Sequence, residues 1–135
     1  DPCTEISPEE FAAAGFDNIE PMPEEYRGLA RGLSVCDFSK HPEVPSEGFS
    51  NNNASRKEIE AQGSLYEKYR SDLLPSMFVY GPRSGTGTYC YAQVDTLRGG
   101  LVSQIAGFEG YQSQDVTCSL AIENLENLFR ATRAS

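Results

Sequence analysis

The chain lacks the sequence patterns that by themselves indicate a catalytic centre or a membrane span. It contains one histidine, so a histidine triad and a multi-histidine metal site are both excluded by count. No segment approaches the ~20 consecutive apolar residues that a membrane-spanning helix requires. The N-terminus lacks a charged segment followed by an apolar one, so we expect that any export signal has already been removed.

Two further ligand-binding patterns are missing. The glycine-rich stretch at residues 81–87 has no Gly-Lys-Ser/Thr ending and leads into a predicted strand, whereas a phosphate-binding loop leads into a helix. The spacing of oxygen ligands that a calcium loop needs is also absent. We therefore predict that the protein carries no cofactor and no metal.

Basic residues are scarce. Eleven Lys and Arg stand against 20 Asp and Glu, which gives a net charge of −9, and residues 1–25 contain eight acids and no Lys or Arg. Such a surface repels phosphate backbones and anionic lipid headgroups. We predict no nucleic-acid partner, and we interpret the acidic segment as a solvated face that keeps the protein soluble.

Four cysteines are present without a C-x-x-C spacing. An even number of this kind argues against a zinc site or a thioredoxin-type motif and favours structural disulfides in an oxidising compartment. We therefore expect an exported protein, and its 135 residues correspond to one domain, residues 1–135. Four cysteines allow three connectivities, among which their positions do not choose.

Several helix signals can be placed along the chain. Ser7-Pro8-Glu9-Glu10 is typical of a helix start with a capping box, and Gly15 provides a stop after a short helix that buries Phe11. A second, longer helix is predicted from Asn53 or Ser55 to the proline at position 75, because apolar residues recur there at helical spacing. A last helix is predicted from about Asp115.

Strand signals lie between and after these helices. Residues 29–38 alternate as in a strand, residues 41–53 indicate a long surface loop or an irregular edge strand through Phe49, and residues 76–80 form a short apolar strand. Residues 89–97 and 101–108 flank Arg98-Gly99-Gly100, which is a hairpin signal. The predicted fold class is α+β: an antiparallel sheet of about four to six strands packed against two longer helices plus a short N-terminal helix.

The alternation of side chains in the hairpin predicts two different faces. If Cys90 is bonded to Cys118, then Cys90, Ala92 and Val94 point toward the last helix, and Tyr89, Tyr91, Gln93 and Asp95 point away from it. We predict a candidate partner-binding set of Tyr89, Tyr91, Gln93 and Tyr111, since tyrosine combines a large contact area with a polar tip. The alternative is that the helix carrying Tyr66 and Tyr69 covers this face.

Six short motifs are spread over the chain: Asp1-Pro2-Cys3, Ala14-Gly15-Phe16, Ser34-Val35-Cys36-Asp37-Phe38, Thr88-Tyr89-Cys90-Tyr91-Ala92, the Gly99-Gly100 turn, and Asp115-Val116-Thr117-Cys118. Together they resemble an actinobacterial family of small exported lipoproteins of unknown function. In that family the residue at the position of Phe38 is usually Trp. The resemblance implies a lipid-bearing cysteine upstream of Asp1, an anchor on the outer face of the cytoplasmic membrane, and disulfides Cys3–Cys36 and Cys90–Cys118. It transfers no catalytic residue.

These observations support a first hypothesis and two alternatives. The first is a non-catalytic, membrane-tethered extracytoplasmic lipoprotein domain of the cell envelope that binds a protein complex or an envelope component, for example as an accessory subunit of a membrane complex. The second is a small secreted hydrolase of the microbial ribonuclease type, with His41 and Glu109 as acid and base; we otherwise interpret His41 as an exposed loop residue. The third is a fungal secreted virulence protein, in which Asn53-Ala54-Ser55 could carry a glycan.

Overall fold

One antiparallel sheet organises the chain. The structure, a computed structural model, describes residues 2–16, 20–21, 36–82, 89–96, 99–108 and 110–133. In these ranges six strands form one sheet in the order β1-β2-β3-β6-β5-β4. The strands are β1 Glu20–Pro21, β2 Cys36–Phe38, β3 Ser46–Asn52, β4 Phe78–Tyr80, β5 Tyr89–Thr96 and β6 Gly99–Ala106, and the helices are α1 Pro2–Glu5, α2 Pro8–Ala13, α3 Arg56–Ala61 and α4 Gln114–Arg133. The predicted α+β class is confirmed.

The short N-terminal helix α2 forms as its sequence predicts. The Ser7 hydroxyl accepts a hydrogen bond from the Glu10 N–H, and the Glu10 carboxylate accepts one from the Ser7 N–H, each at 3.1 Å. The helix ends in a Schellman motif at Gly15, whose φ of 92° suits a residue without a Cβ. This end turns Phe16 back toward Phe11, and both rings are buried.

The prediction of a second, longer helix is wrong in extent, because α3 contains only six residues. Gly63 has φ of 72°, and the N–H groups of Gly63 and Ser64 donate to the carbonyls of Glu60 and Ile59, which is again a Schellman motif. Leu65 then pairs with Tyr80 as an isolated β-bridge. The apolar spacing that suggested a helix through Leu73 therefore belongs to an irregular segment that lies against the sheet.

Of the two alternatives for residues 41–53, a long surface loop or an irregular edge strand through Phe49, the strand is present, but it does not lie at an edge of the sheet. Residues 46–52 form β3, a central strand between β2 and β6, and Phe49 on it is fully buried. The polar composition of this strand conceals its position, because Glu47 and Ser50 are buried too. Both find partners that are distant in sequence, and such partners cannot be read from local pattern.

The hairpin and the last helix form the larger part of the core. β5 and β6 pair from Tyr89 opposite Ala106 to Thr96 opposite Gly99, so Gly99 and Gly100 lie in β6, whereas Arg98 lies outside the described residues. Helix α4 packs on this hairpin. Cys118, Ala121 and Leu125 of the helix form a buried cluster with Cys90, Ala92 and Val94 of β5. The predicted orientation of β5 is confirmed.

Two disulfides connect these elements as the resemblance implies. Cys90 on β5 is bonded to Cys118 on α4, with Cα atoms 5.1 Å apart, and Cys3 on α1 is bonded to Cys36 on β2, with Cα atoms 5.4 Å apart. Near the second bond, a cluster of phenylalanines joins α2 to the sheet: Phe11, Phe16, Phe38 and Phe49. The predicted strand residues 29–35 lie outside the described part of the chain.

We predict that the Cys90–Cys118 bond contributes more stability than the Cys3–Cys36 bond. The two bonds span similar separations of 28 and 33 residues, for which the chain-entropy model gives about 3 to 4 kcal/mol each. Cys90 and Cys118 are both fully buried, however, whereas in the other pair Cys36 is fully buried and Cys3 is only half-buried, so replacement of Cys90 and Cys118 removes more buried atoms from the core.

Chemical denaturation of the double variants Cys90→Ala/Cys118→Ala and Cys3→Ala/Cys36→Ala measures the two contributions. The first variant should lose the larger free energy of unfolding. An equal or smaller loss would contradict this account of the core.

Candidate functional site

Four large apolar side chains are exposed near one end of the sheet. They are Tyr89, Phe108, Tyr111 and Val116, which we call the aromatic surface, and their exposed fractions are 46%, 49%, 85% and 44%. Tyr89 begins β5 opposite Ala106, Phe108 follows the end of β6, and Val116 lies in the first turn of α4. The bond between Cys90 and Cys118 holds the start of α4 beside the start of β5, so Tyr89 and Val116 lie at the same end of the molecule, with Tyr89 on the face of the sheet that points away from α4 and the contacting rings of Phe108 and Tyr111 at the end itself.

The loop that carries Phe108 and Tyr111 is held in place by Gln112. Its side-chain oxygen accepts a hydrogen bond from the Phe108 N–H at 2.6 Å, and its side-chain nitrogen donates to the Glu43 carbonyl at 2.9 Å. The Phe108 carbonyl accepts a bond from the Tyr111 N–H at 3.0 Å, and the two rings meet edge to face at 6.4 Å. The two exposed rings are therefore presented in a fixed arrangement.

Two of the four predicted partner-binding residues, Tyr89 and Tyr111, lie on this surface. Phe108 and Val116 belong to it as well and were missed by sequence reasoning. Phe108 stands between Gly107 and Gly110 after the last strand, and an aromatic residue in a glycine-containing turn is a signal that could have identified it. Val116 gives no such signal, because its apolar character also fits a buried helix position.

Tyr91 is half-buried and belongs in part to the core on the second face of the sheet. Its ring stacks on that of Tyr80 at 5.2 Å, and both rings pack in a cluster with Ile59 of α3 and Phe78. Residues Tyr66 and Tyr69 pack against the core on the α4 side, and Tyr66 in addition lies near Tyr91, so burial and the charge of Tyr91 together raise the Tyr66 pKa. The covering element is the short helix α3 instead of the long helix that the sequence suggested.

Gln93 is removed from the predicted partner-binding set, because it is fully buried. Its side-chain nitrogen donates to the Ala54 carbonyl and to the Asp95 carboxylate, each at 3.0 Å, and its oxygen accepts a bond from the Tyr80 hydroxyl at 2.8 Å. Burial raises the pKa of Tyr80 to about 12, so this hydroxyl remains a donor at physiological pH. Gln93 therefore satisfies a buried polar network and is not available to a partner.

The one histidine is not an exposed loop residue, which corrects that interpretation. His41 Nδ1 lies 2.7 Å from a carboxylate oxygen of Glu47, and the N–H groups of Lys40 and His41 donate to the other oxygen at 2.7 and 2.6 Å. Asn124 of α4 donates to Glu47 at 2.9 Å. Glu47 thus joins β3, the turn before it and α4 through one buried carboxylate.

These contacts keep Glu47 ionised. Burial alone would raise its pKa, but the hydrogen bonds from the His41 side chain and backbone, from Asn124 and from Lys40 together outweigh burial and lower the pKa. A buried carboxylate with this many donors is stable only as the anion.

The second ring nitrogen of His41 has one acidic neighbour in the described part of the chain. This atom, Nε2, faces Glu123 at 3.9 Å. Glu109, the proposed acid–base partner of His41, lies outside the described residues, and residues 2–16, 20–21, 36–82, 89–96, 99–108 and 110–133 contain no group of three or more possible metal ligands. Within the same ranges, no helix has the length and apolar character needed to cross a membrane.

Comparison with models of known protein families, with curated proteins and with solved structures gives no match to this chain. The candidate site is therefore argued from its own geometry.

The first prediction from this site separates a core tyrosine from a surface tyrosine. Tyr91→Ala removes a half-buried ring that is stacked on Tyr80 and should lower the free energy of unfolding by about 2 to 3 kcal/mol. Tyr111→Ala removes a ring that is 85% exposed and should change it by less than about 0.5 kcal/mol. Thermal and chemical denaturation of the two variants tests this contrast, and equal effects would refute it.

The second prediction concerns the pH dependence of stability. Because the pKa of Glu47 in the folded state lies below its ordinary value of 4.5, the ionised carboxylate stabilises the fold above that pH. This stabilisation is lost as the pH falls from 4.5 through the lowered pKa. Glu47→Gln should cost about 1.5 to 3 kcal/mol at neutral pH, since it removes charge-assisted hydrogen bonds, and should flatten the loss of stability below pH 4.5.

Glu123→Gln is the matched control for this prediction. Glu123 is 53% exposed and lies 3.9 Å from the same histidine, so its variant should follow the wild-type pH profile. If Glu47→Gln also retains that profile, the Glu47 contacts do not control acid stability.

Proposed function

We propose that this chain is a non-catalytic extracytoplasmic domain that binds a protein partner through the aromatic surface of Tyr89, Phe108, Tyr111 and Val116. The observation that carries the proposal is the exposure of two aromatic rings on a loop whose conformation is already fixed by Gln112. Burying such rings against a partner gains apolar contact area at a low cost in conformational entropy.

The location outside the cytoplasm is supported by the two disulfides. The four cysteines in the chain are all bonded, and such bonds persist in oxidising compartments. The likeness of Asp1-Pro2-Cys3 and the later cysteine motifs to small actinobacterial lipoproteins supports the finer part of the proposal. In that form the domain is tethered to the outer face of the cytoplasmic membrane by a lipid-bearing cysteine upstream of Asp1 and acts as an accessory subunit of an envelope complex.

The contacts of His41 are explained by the fold, since one of its ring nitrogens binds Glu47, which joins three elements, and its other nitrogen faces the Glu123 carboxylate at 3.9 Å. A carboxylate on one ring nitrogen also orients a catalytic histidine, so the preference for binding rests on the exposed rings and the RNA-cleavage measurement below tests hydrolysis. The rings of the aromatic surface, in contrast, remain exposed within the described part of the fold, so their apolar area is free to contact a partner.

A quantitative pull-down from solubilised envelope membranes tests the proposal. The immobilised wild-type domain should retain a specific protein, and the double variant Phe108→Ser/Tyr111→Ser should retain it at least about tenfold less, because central aromatic residues supply a large part of the binding energy of an interface. Glu60→Ser on α3 serves as the control, since this exposed residue lies on the opposite side of the sheet from α4.

Three outcomes would contradict the proposal. Equal recovery by the double variant would exclude the aromatic surface, and the absence of a retained protein would exclude the binding role. RNA cleavage by the purified domain that His41→Ala abolishes would show catalysis instead. The melting temperatures of all variants should match that of the wild type, so that loss of binding does not reflect unfolding.

A further inference from the structure

A cavity of about 190 Å³ lies beside the start of α3, apart from the aromatic surface. It is bounded by Arg56, which is the first residue of α3, by the irregular segment 65–72 and by the start of β4. Since one water molecule occupies about 30 Å³ in the liquid, the cavity has room for roughly six waters, or for one small organic molecule.

Two arginines on the wall of this cavity have no partner among the described residues. Arg56 and Arg70 both line it, and neither guanidinium forms an ion pair or a hydrogen bond within those residues. The guanidinium group presents paired N–H donors that match a carboxylate. Two unpaired groups of this kind on one cavity wall are notable in a chain that has 11 basic residues and a net charge of −9.

The wall also carries two acids. Glu67 and Asp72 line the cavity, and neither is within ion-pair distance of an arginine in the part of the chain that the structure describes. The lining therefore contains two guanidinium groups, which donate hydrogen bonds, and two carboxylates, which accept them. A ligand that satisfies both must carry an anionic acceptor together with hydroxyl or ammonium donors.

The floor of the cavity is apolar and its aromatic side chains are already positioned. Met77, Phe78 and Val79 form part of the lining and are buried. The Tyr66 hydroxyl donates to the Pro82 carbonyl at 2.7 Å, and the Tyr69 hydroxyl donates to Asp115, which also pairs with Lys68 at 3.0 Å. Both rings line the cavity, and the Lys68 ammonium covers one face of the Tyr69 ring at 5.1 Å, so a ligand skeleton can contact the ring carbons that this contact leaves open.

We propose that this cavity binds a small carboxylate-bearing molecule that also carries hydroxyl or ammonium groups, of the size of a sugar acid or an amino acid. Arg56 and Arg70 hold the carboxylate, Glu67 and Asp72 accept hydrogen bonds from the donors, and Tyr66 and Tyr69 pack against the carbon skeleton. This site is independent of the partner surface proposed above.

Titrations followed by amide chemical shifts test the site with two pairs of probes. Glucuronate is compared with glucose, and valine with valinamide, so that each pair differs in the carboxylate. Up to about 10 mM, a range that includes millimolar dissociation constants, at least one acid should shift the amides of Arg56, Tyr66 and Arg70, and its counterpart without a carboxylate should not. The pair that responds identifies the ligand as a sugar acid or an amino acid.

Variants locate the binding on the arginines. Arg70→Gln and Arg56→Gln should each weaken the binding of the responding acid at least tenfold, whereas Lys57→Gln, the exposed neighbour of Arg56 that does not line the cavity, should leave it unchanged. Both arginines are exposed, so neither change should alter the melting temperature.

Any of three results would overturn the site. The first is that neither acid shifts these amides, the second is that the probes without a carboxylate bind as tightly as the acids, and the third is that binding persists in both arginine variants.

Discussion

The packing of α4 on the β5–β6 hairpin, fixed by the Cys90–Cys118 bond, is the constraint on which the rest of the structure depends. Ala121 and Leu125 on α4 pack in one buried cluster with Ala92 and Val94 on the sheet. The same helix then serves several other parts of the molecule. Leu128 packs in the phenylalanine cluster near α2, Asn124 donates a hydrogen bond to Glu47 on β3, and Asp115 accepts one from the Tyr69 hydroxyl. A displacement of α4 would break all of these contacts together.

A buried carboxylate at the centre of the sheet gives the fold its second constraint. Glu47 loses its hydration on a central strand, and this cost is offset by two backbone N–H groups, a histidine and an asparagine that converge on it. Because the four donors come from the turn before β3, from His41 and from α4, the carboxylate is satisfied only in the assembled fold. The lone histidine is thereby accounted for as part of the structure.

The two proposed recognition elements differ in chemistry and in position. The aromatic surface is apolar and exposed and is suited to a protein interface, whereas the cavity beside α3 is small and polar with an apolar floor. They are connected through α4, whose first turn contains Val116 of the aromatic surface and Asp115, the partner of Tyr69 in the cavity wall. The net charge of −9 determines neither the aromatic surface nor the cavity, because each is formed by a few neighbouring side chains.

The sequence by itself determined the features that depend on near neighbours. Ser7 and Glu10 specify the start of α2, Gly15 specifies its end, and alternation in β5 separates Cys90, Ala92 and Val94 from Tyr89, Tyr91 and Gln93. Capping and alternation act over one to four residues, so they can be read directly from the order of residues. Tyr89 was predicted from residue type and strand position, and Tyr111 from residue type alone.

Only the tertiary structure decided the features that depend on distant partners. Ser46–Asn52 looks like a polar loop and is a central strand, because Asn124, 77 residues away from Glu47, helps to satisfy its buried carboxylate. Gln93 looks like a surface residue and is buried, because Tyr80 and Ala54 meet its amide. Arg56 and Arg70 become neighbours of one cavity only after Gly63 ends α3 and the following segment folds back on the sheet. In each case the free energy of a polar group depends on contacts that local sequence does not contain.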